Sequence, residues 1–179
     1  MSTEASFEIV PVWKKVSARL SAELVDLWQR TQALADREQA IRRSREAVCV
    51  ARDRSGAVCG VGTAVVRVLP RLRQPLYYYR QFFAPEFRGH KRALPFFNEA
   101  RRVLEGYNES LAAPESIGML LELENQQLVA RYERAYEPAA DSTFIGYSPA
   151  GLQLRVSYFK NACLLQPLGR DAGAAAKCA

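Results

Sequence analysis

Phe7 and Ile9 alternate with polar neighbours ahead of Pro11, which predicts a short first strand that the proline ends. Val16, Leu20, Leu24, Leu27, Trp28 and Thr31 then recur three and four residues apart, the spacing of one helical face. A more polar helix is predicted from Asp36, whose carboxylate suits an N-cap, to about Arg45. The apolar run AVCVARD and the Val-rich run 58–69 flank Arg54-Ser55-Gly56, so the two read as a hairpin. A loop is expected from Pro70 to Pro75. LYYYRQFF (76–83) then reads as a strand, because aromatic side chains favour a pleated, half-buried surface.

In the second half, Phe96, Phe97, Ala100, Val103, Leu104 and Tyr107 share a helical face, with Pro95 expected in the first turn, where no intrahelical N–H is lost. Residues 117–123, IGMLLEL, predict a buried strand. From Asn125 a helix is expected, with Leu128, Val129, Tyr132 and Tyr136 on one face. FIGYS and LQLRVSYF, separated by Pro149-Ala150-Gly151, predict a closing hairpin. The order is β-α-α-β-β-β-α-β-α-β-β: an α/β chain with a mixed sheet of the α+β kind and helices packed on it. One domain is expected over 1–168, with a flexible tail at 169–179.

Composition narrows this modestly. The 179 residues suffice for one hydrophobic core, and 49% apolar with 25% charged residues excludes a disordered tail or a coiled coil. No run of about 18 apolar residues exists, and MSTEASFEIV lacks the basic start of a secretory signal, so no membrane span and a cytoplasmic location are expected. The four cysteines are widely spaced and there is one histidine, so neither a metal site nor a disulfide is expected; Cys49 and Cys59 read as small buried strand residues. The net charge of +6 points only generally to anions.

One segment sharpens that. In FFAPEFRGHKRALPFF, Arg88, His90, Lys91 and Arg92 crowd around Gly89 where a strand hands over to a helix. Like charges repel, whereas a helix N-terminus offers unpaired N–H groups and the positive end of its dipole to an anion. Taken alone, the segment is compatible with an anion site or with a solvated loop whose arginines pair with nearby Glu.

The stretch Phe83-Ala84-Pro85-Glu86-Phe87-Arg88-Gly89-His90-Lys91-Arg92-Ala93 resembles the signature V-x-P-x-[YF]-[RQ]-G-x-G-x-[GA] of the GNAT superfamily of N-acetyltransferases. Downstream, Asn125 followed by Tyr132-Glu133-Arg134 resembles the family's N-x(6)-Y-E-[KR]. Order and spacing carry the resemblance over roughly residues 15 to 160. It implies acetyl transfer from acetyl-CoA to an amine acceptor. The strand end at Phe83 would pair with the pantetheine arm and the loop Arg88, Gly89, His90, Lys91, Arg92 and Ala93 would cradle the pyrophosphate. Asn125 would bond the pantetheine, and the Tyr132 hydroxyl would protonate the departing thiolate. Two departures stand out: Lys91 replaces a family glycine, and Ala135-Tyr136-Glu137-Pro138 replaces the usual Gly-Phe.

Acetyl transfer needs a neutral amine, a donor for the developing oxyanion and an acid for the thiolate. A backbone N–H where the fourth strand splays from the fifth would be the oxyanion donor. Glu122 and Glu124, expected on one face of the fifth strand, are candidate bases through water, with Gln81 on the fourth strand beside them. The acceptor is unspecified; Trp13, Trp28, Tyr77, Tyr78 and Tyr79 are candidates for its pocket or for the core. Two other readings stand behind the enzyme. One is a catalytically silent domain of this fold that binds CoA or a protein, motivated by Lys91. The other, ranked last for want of any recognisable motif, is a nucleic-acid module using the basic loop with Arg71, Arg73 and Arg80. Exposed strand edges leave room for a homodimer.

Overall fold

Two side-chain caps set the first helices. Ser17 Oγ accepts the N–H of Leu20 (3.1 Å) and starts α1 (Ala18–Arg30); Asp36 Oδ1 accepts those of Glu38 (2.9 Å) and Gln39 (3.2 Å) and starts α2 (Arg37–Ser44). They follow β1 (Phe7–Pro11), an edge strand, which is why its terminal proline is tolerated. The structure, a computed structural model, describes residues 7–166, so the expected tail lies outside the described residues.

β2 (Ala47–Asp53) and β3 (Val58–Leu69) form the expected hairpin. Asp53 Oδ1 accepts the N–H groups of Ser55 (2.8 Å) and Ala57 (3.1 Å), while Gly56 takes a φ of 84° that a side chain would disfavour. β3 turns into β4 (Gln74–Phe83), which begins two residues before the expected strand and takes in Pro75. α3 (His90–Ser110) crosses over to β5 (Gly118–Leu123); α4 (Gln126–Val129), a two-residue β6 (Tyr136–Glu137), β7 (Ser142–Tyr147) and β8 (Gln153–Tyr158) complete the chain. The strands lie in one sheet of order β1-β2-β3-β4-β5-β8-β7-β6, parallel between β4 and β5 and antiparallel elsewhere.

Two expectations are corrected. Helix α3 starts five residues before Pro95, which therefore lies inside the helix and not in its first turn, and removes one i→i−4 bond there. The helix expected from Asn125 through Tyr136 is only α4. Tyr132 N–H still reaches Leu128 O (2.9 Å), but Tyr136 is half exposed and sits in β6. The segment is drawn onto Arg155, whose guanidinium takes the carbonyls of Tyr132, Arg134 and Ala135; of these, Tyr132 O is the acceptor that the N–H of Tyr136 would have used in a helix.

Helices cover both sheet faces. Phe96 and Phe97 of α3 meet Phe83 and Tyr79 at 5.0 and 5.7 Å between ring centroids. Arg43 of α2 donates to Thr63 Oγ1, and Thr63 is the cross-strand partner of Arg80. Since Tyr79 and Arg80 point to opposite faces, α3 packs on one side and the end of α2 on the other. The main core, with Leu24, Leu27, Trp28, Val50 and Phe96 wholly or nearly buried, also encloses Cys49 and Cys59. A smaller cluster of Leu76, Tyr78, Leu120, Leu154 and Val156 packs toward β7.

Gly118 begins β5 with no room for a side chain: a methyl would strike the carbonyl oxygen of Ser157 and come within 2.8 Å of Tyr158 Cα. Gly118→Ala should therefore lower stability by about 2 kcal/mol through backbone overpacking. Urea unfolding should show a lower midpoint with an unchanged slope.

Candidate active site in the sheet opening

The parallel ladder is short. β4 and β5 pair only at Tyr77–Met119, Tyr78–Leu120 and Tyr79–Leu121. Beyond these, Arg80 to Phe83 stay bonded to β3, while Glu122 and Leu123 stay bonded to β8. The strands diverge and leave a cleft of about 880 Å3, lined on one side by Gln81, Phe83, Arg88 and Gly89 and on the other by Glu122, Glu124, Asn125 and Tyr132. Sequence reasoning expected an opening here, and of its candidates these residues do converge on one cleft.

At the α3 end, Gly89 is the N-cap, with a φ of 148° that only glycine takes readily, and no side chain caps the helix. Arg92 and Ala93 N–H both bond Gly89 O, so those of His90 and Lys91 have no intrahelical acceptor. Lys91, one residue into the helix, has ordinary helical backbone, so the replacement of glycine there carries no strain in φ. The other cations fold back on the loop. Arg88 Nε donates to Phe83 O (3.2 Å) and the guanidinium lies 5.7 Å from the Phe82 ring centroid. Arg92 donates to Glu86 O (3.3 Å). Lys91 is exposed and makes no described hydrogen bond or ion pair, which leaves it available to an anion.

Across the cleft, Asn125 Oδ1 accepts Gln127 N–H (2.8 Å) and so serves locally as the cap of α4. β5 ends at Leu123, so Glu124 lies one residue past the strand, exposed, and lines the same cleft as Glu122. Glu122 Oε2 accepts the Tyr78 hydroxyl (2.5 Å), which in turn accepts from Arg80 (2.8 Å). That hydroxyl holds the Glu122 carboxyl below its ordinary range, with help from Ser148 and the charge of Arg80. Tyr132 is 8% exposed; burial first, then the charge of Glu137, raises its pKa. Its hydroxyl therefore keeps its proton throughout the neutral range. Of the aromatic candidates, Trp28 and Tyr79 line the cleft, whereas Trp13 and Tyr77 pack edge-on in the core at 5.9 Å.

Arg155 went unnoticed in the sequence. It is wholly buried, over the Tyr132 ring at 5.6 Å, and it bonds the Tyr132, Arg134, Ala135 and Ser142 carbonyls and the Gln153 side chain. The strand alternation puts it on the polar face of β8; only the cover supplied by residues 132–137 buries it.

No family model and no curated protein matches the sequence. Solved structures do. An acetyltransferase of the GNAT family from Streptococcus pneumoniae superposes with a TM-score of 0.54 at 12% identity, covering 87% of this chain and 100% of that one. The fold is that of the GNAT acetyltransferases. A second GNAT structure, from Listeria monocytogenes, gives 0.52 at 16% identity, over 89% and 98% of the two chains. The likeness is one of fold and spans most of the chain.

Arg155→Leu would take one donor from each of the Tyr132, Arg134, Ala135 and Ser142 carbonyls, leaving that of Arg134 without one among the described residues, and remove the charge that holds residues 132–135. It should destabilise the protein by about 3 kcal/mol. Hydrogen exchange should show the largest loss of protection in the segment 130–137, more than in β2 or β3.

Proposed function

We propose that the protein transfers an acetyl group from acetyl-CoA to a primary amine by direct attack. The observation that carries this is the β4–β5 opening, with an uncapped helix N-terminus on one side and a buried, protonated tyrosine on the other. Phe83, Arg88, Gly89, His90, Lys91, Arg92, Ala93 and Asn125 form the cofactor side. The open N–H groups of His90 and Lys91 and the charge of Lys91 suit the pyrophosphate. Acetyl-CoA, when bound, supplies an acetyl group on a thioester whose sulfur can leave.

The residues divide the remaining work. Backbone N–H at the diverging end of β4 donates to the carbonyl oxygen as it gains charge. Tyr132 gives its proton to the sulfur as the C–S bond breaks and the C–N bond forms. Glu122, ionised at neutral pH, receives the amine proton through water, with Glu124 beside it at the cleft mouth. The ordinary backbone at Lys91 supports this reading over a silent domain of the same fold, since the steric motive for that alternative falls away.

Tyr132→Phe should lower kcat by about 100-fold, within the usual range for a general acid, and change the KM for acetyl-CoA less than threefold, a ratio of about 0.6 kcal/mol. Because the Tyr132 pKa is raised, activity of the native protein should hold to above the ordinary tyrosine value of about 10 before an alkaline limb appears. Free thiol release from acetyl-CoA, followed against pH for both proteins, checks both points. A variant that turns over normally removes the acid assignment.

Lys91→Glu replaces an attraction to the pyrophosphate with a repulsion at an exposed site. It should weaken acetyl-CoA binding by about tenfold and leave the melting temperature without ligand unchanged. Titration calorimetry at two salt concentrations measures it, the difference shrinking at the higher one.

A further inference from the structure

On the other side of the opening from α3, two guanidinium groups lie on one sheet face without a direct ion pair among the described residues. Arg43 leaves the end of α2 and donates Nε to Thr63 Oγ1 (3.3 Å). Thr63 pairs across β3 and β4 with Arg80, so the Arg80 side chain emerges beside the same hydroxyl, on the same face of the sheet. Both arginines line the cleft. Neither takes part in an ion pair among the described residues; their contacts are Thr63 and the Trp28 ring for Arg43, and the Tyr78 ring and hydroxyl for Arg80. Burial, and then the charge of Arg80, pulls the Arg43 pKa below its ordinary value. Carboxylates act on the pair by charge without bonding either guanidinium: Glu46 and Glu124 on Arg43, and Glu46 and Glu122 on Arg80. Two converging cations in a partly desolvated cleft repel one another, and an anion between them would relieve that repulsion.

The opposite charge lies on the neighbouring strand. Glu122, linked to Arg80 through the Tyr78 hydroxyl, faces the same cleft, with exposed Glu124 two residues on. Cationic and anionic groups therefore stand side by side at one opening, Arg80 and Glu122 meeting at the Tyr78 hydroxyl. We propose that the acceptor is a small amine that carries its own carboxylate, with Arg43 and Arg80 binding the carboxylate and Glu122 facing the ammonium. This assignment rests on the transfer reading and names its acceptor class. The geometry is that of a zwitterion: the carboxylate is held against the paired guanidiniums, and the amine is turned toward the diverging end of β4. Trp28 and Leu34 also line the cleft, and their apolar surface suits an uncharged side chain.

The test compares free amino acids with their α-amides, and with capped peptides that begin with Asp or Glu and end in an amide. Thiol release from acetyl-CoA is the readout, and the acetyl-CoA-induced shift in melting temperature is measured in parallel. Free amino acids should be turned over at least tenfold more efficiently than their amides. Arg43→Gln should raise the KM of the acid acceptor at least tenfold, with the KM of acetyl-CoA unchanged and the preference over the amide abolished. Arg80→Gln, at a more exposed position, should do the same should Arg43→Gln fail to fold, and Arg43→Lys should restore part of the loss. Amides accepted as well as acids would overturn the acceptor assignment while leaving acetyl transfer standing. Acceptance of the acidic peptides alone would overturn the small-molecule class. Absence of both thiol release and a melting shift with acetyl-CoA would overturn the transfer reading, and the acceptor assignment with it.

Discussion

Everything at the candidate site follows from the brevity of one parallel ladder. β4 is ten residues long, yet it shares only three residue pairs with β5. Each strand is bonded on its other side to an antiparallel neighbour that continues past the point of separation, β3 for β4 and β8 for β5. Since a sheet twists, two neighbours held by different partners can part, and the polar backbone they stop sharing is then left facing a cleft. Such groups are unfavourable in a core and useful in a site: they accept or donate to whatever enters. The opening also joins two sheet faces that would otherwise be sealed from each other, one covered by α3 and one by the end of α2.

A cleft of this kind keeps its shape only if its walls are held. The α3 wall is held by aromatic packing, with Phe96 and Phe97 against Phe83 and Tyr79. The β5 wall is held differently. Residues 130–137 have little regular structure, and their carbonyls converge on the single guanidinium of Arg155. No carboxylate pairs with that charge among the described residues, so its desolvation is offset by several backbone acceptors, with the charge of Glu137 further off. The same bonds hold Tyr132 at the cleft with its ring against the guanidinium. Order in this wall is thus concentrated in one side chain, unlike the distributed packing across the cleft.

The contrast between the walls explains what could be read from the chain. Local rules reached far: the Asp36 cap, the Gly56 turn, the periodicity of α1 and the aromatic run of β4 are all properties of neighbouring residues. The basic loop with its glycine was likewise legible as a strand-to-helix junction, and Gly89 is the N-cap of α3. The failures are non-local. Leu128, Val129 and Tyr132 have helical spacing, and nothing nearby says that Arg155, more than twenty residues on, gathers the carbonyls of Tyr132, Arg134 and Ala135. Pro95 marked a helix start by rule, whereas α3 begins earlier, at Gly89, and absorbs the missing bond. Arg155 lies in a polar register of β8 and reads as solvent-facing until the segment above it is placed. Arg43 and Arg80 are separated by a helix end and two strands, and only the Thr63–Arg80 register brings them together.

That last juxtaposition bears on how one cleft can manage two ligands. If acetyl-CoA and a carboxylate-bearing amine both bind here, both arrive as anions, and a single basic patch would set them in competition. The fold separates the two demands. The helix terminus and Lys91 lie on the α3 side, where charge is exposed and screened over about 8 Å at physiological salt. Arg43 and Arg80 lie on the α2 side, and at half-buried Arg43 a charge acts more strongly because less water intervenes. The sheet between them transmits neither anion's repulsion efficiently to the other, yet its opening lets the reacting ends meet. A net charge of +6 then serves general attraction, while the division between faces decides which anion settles where.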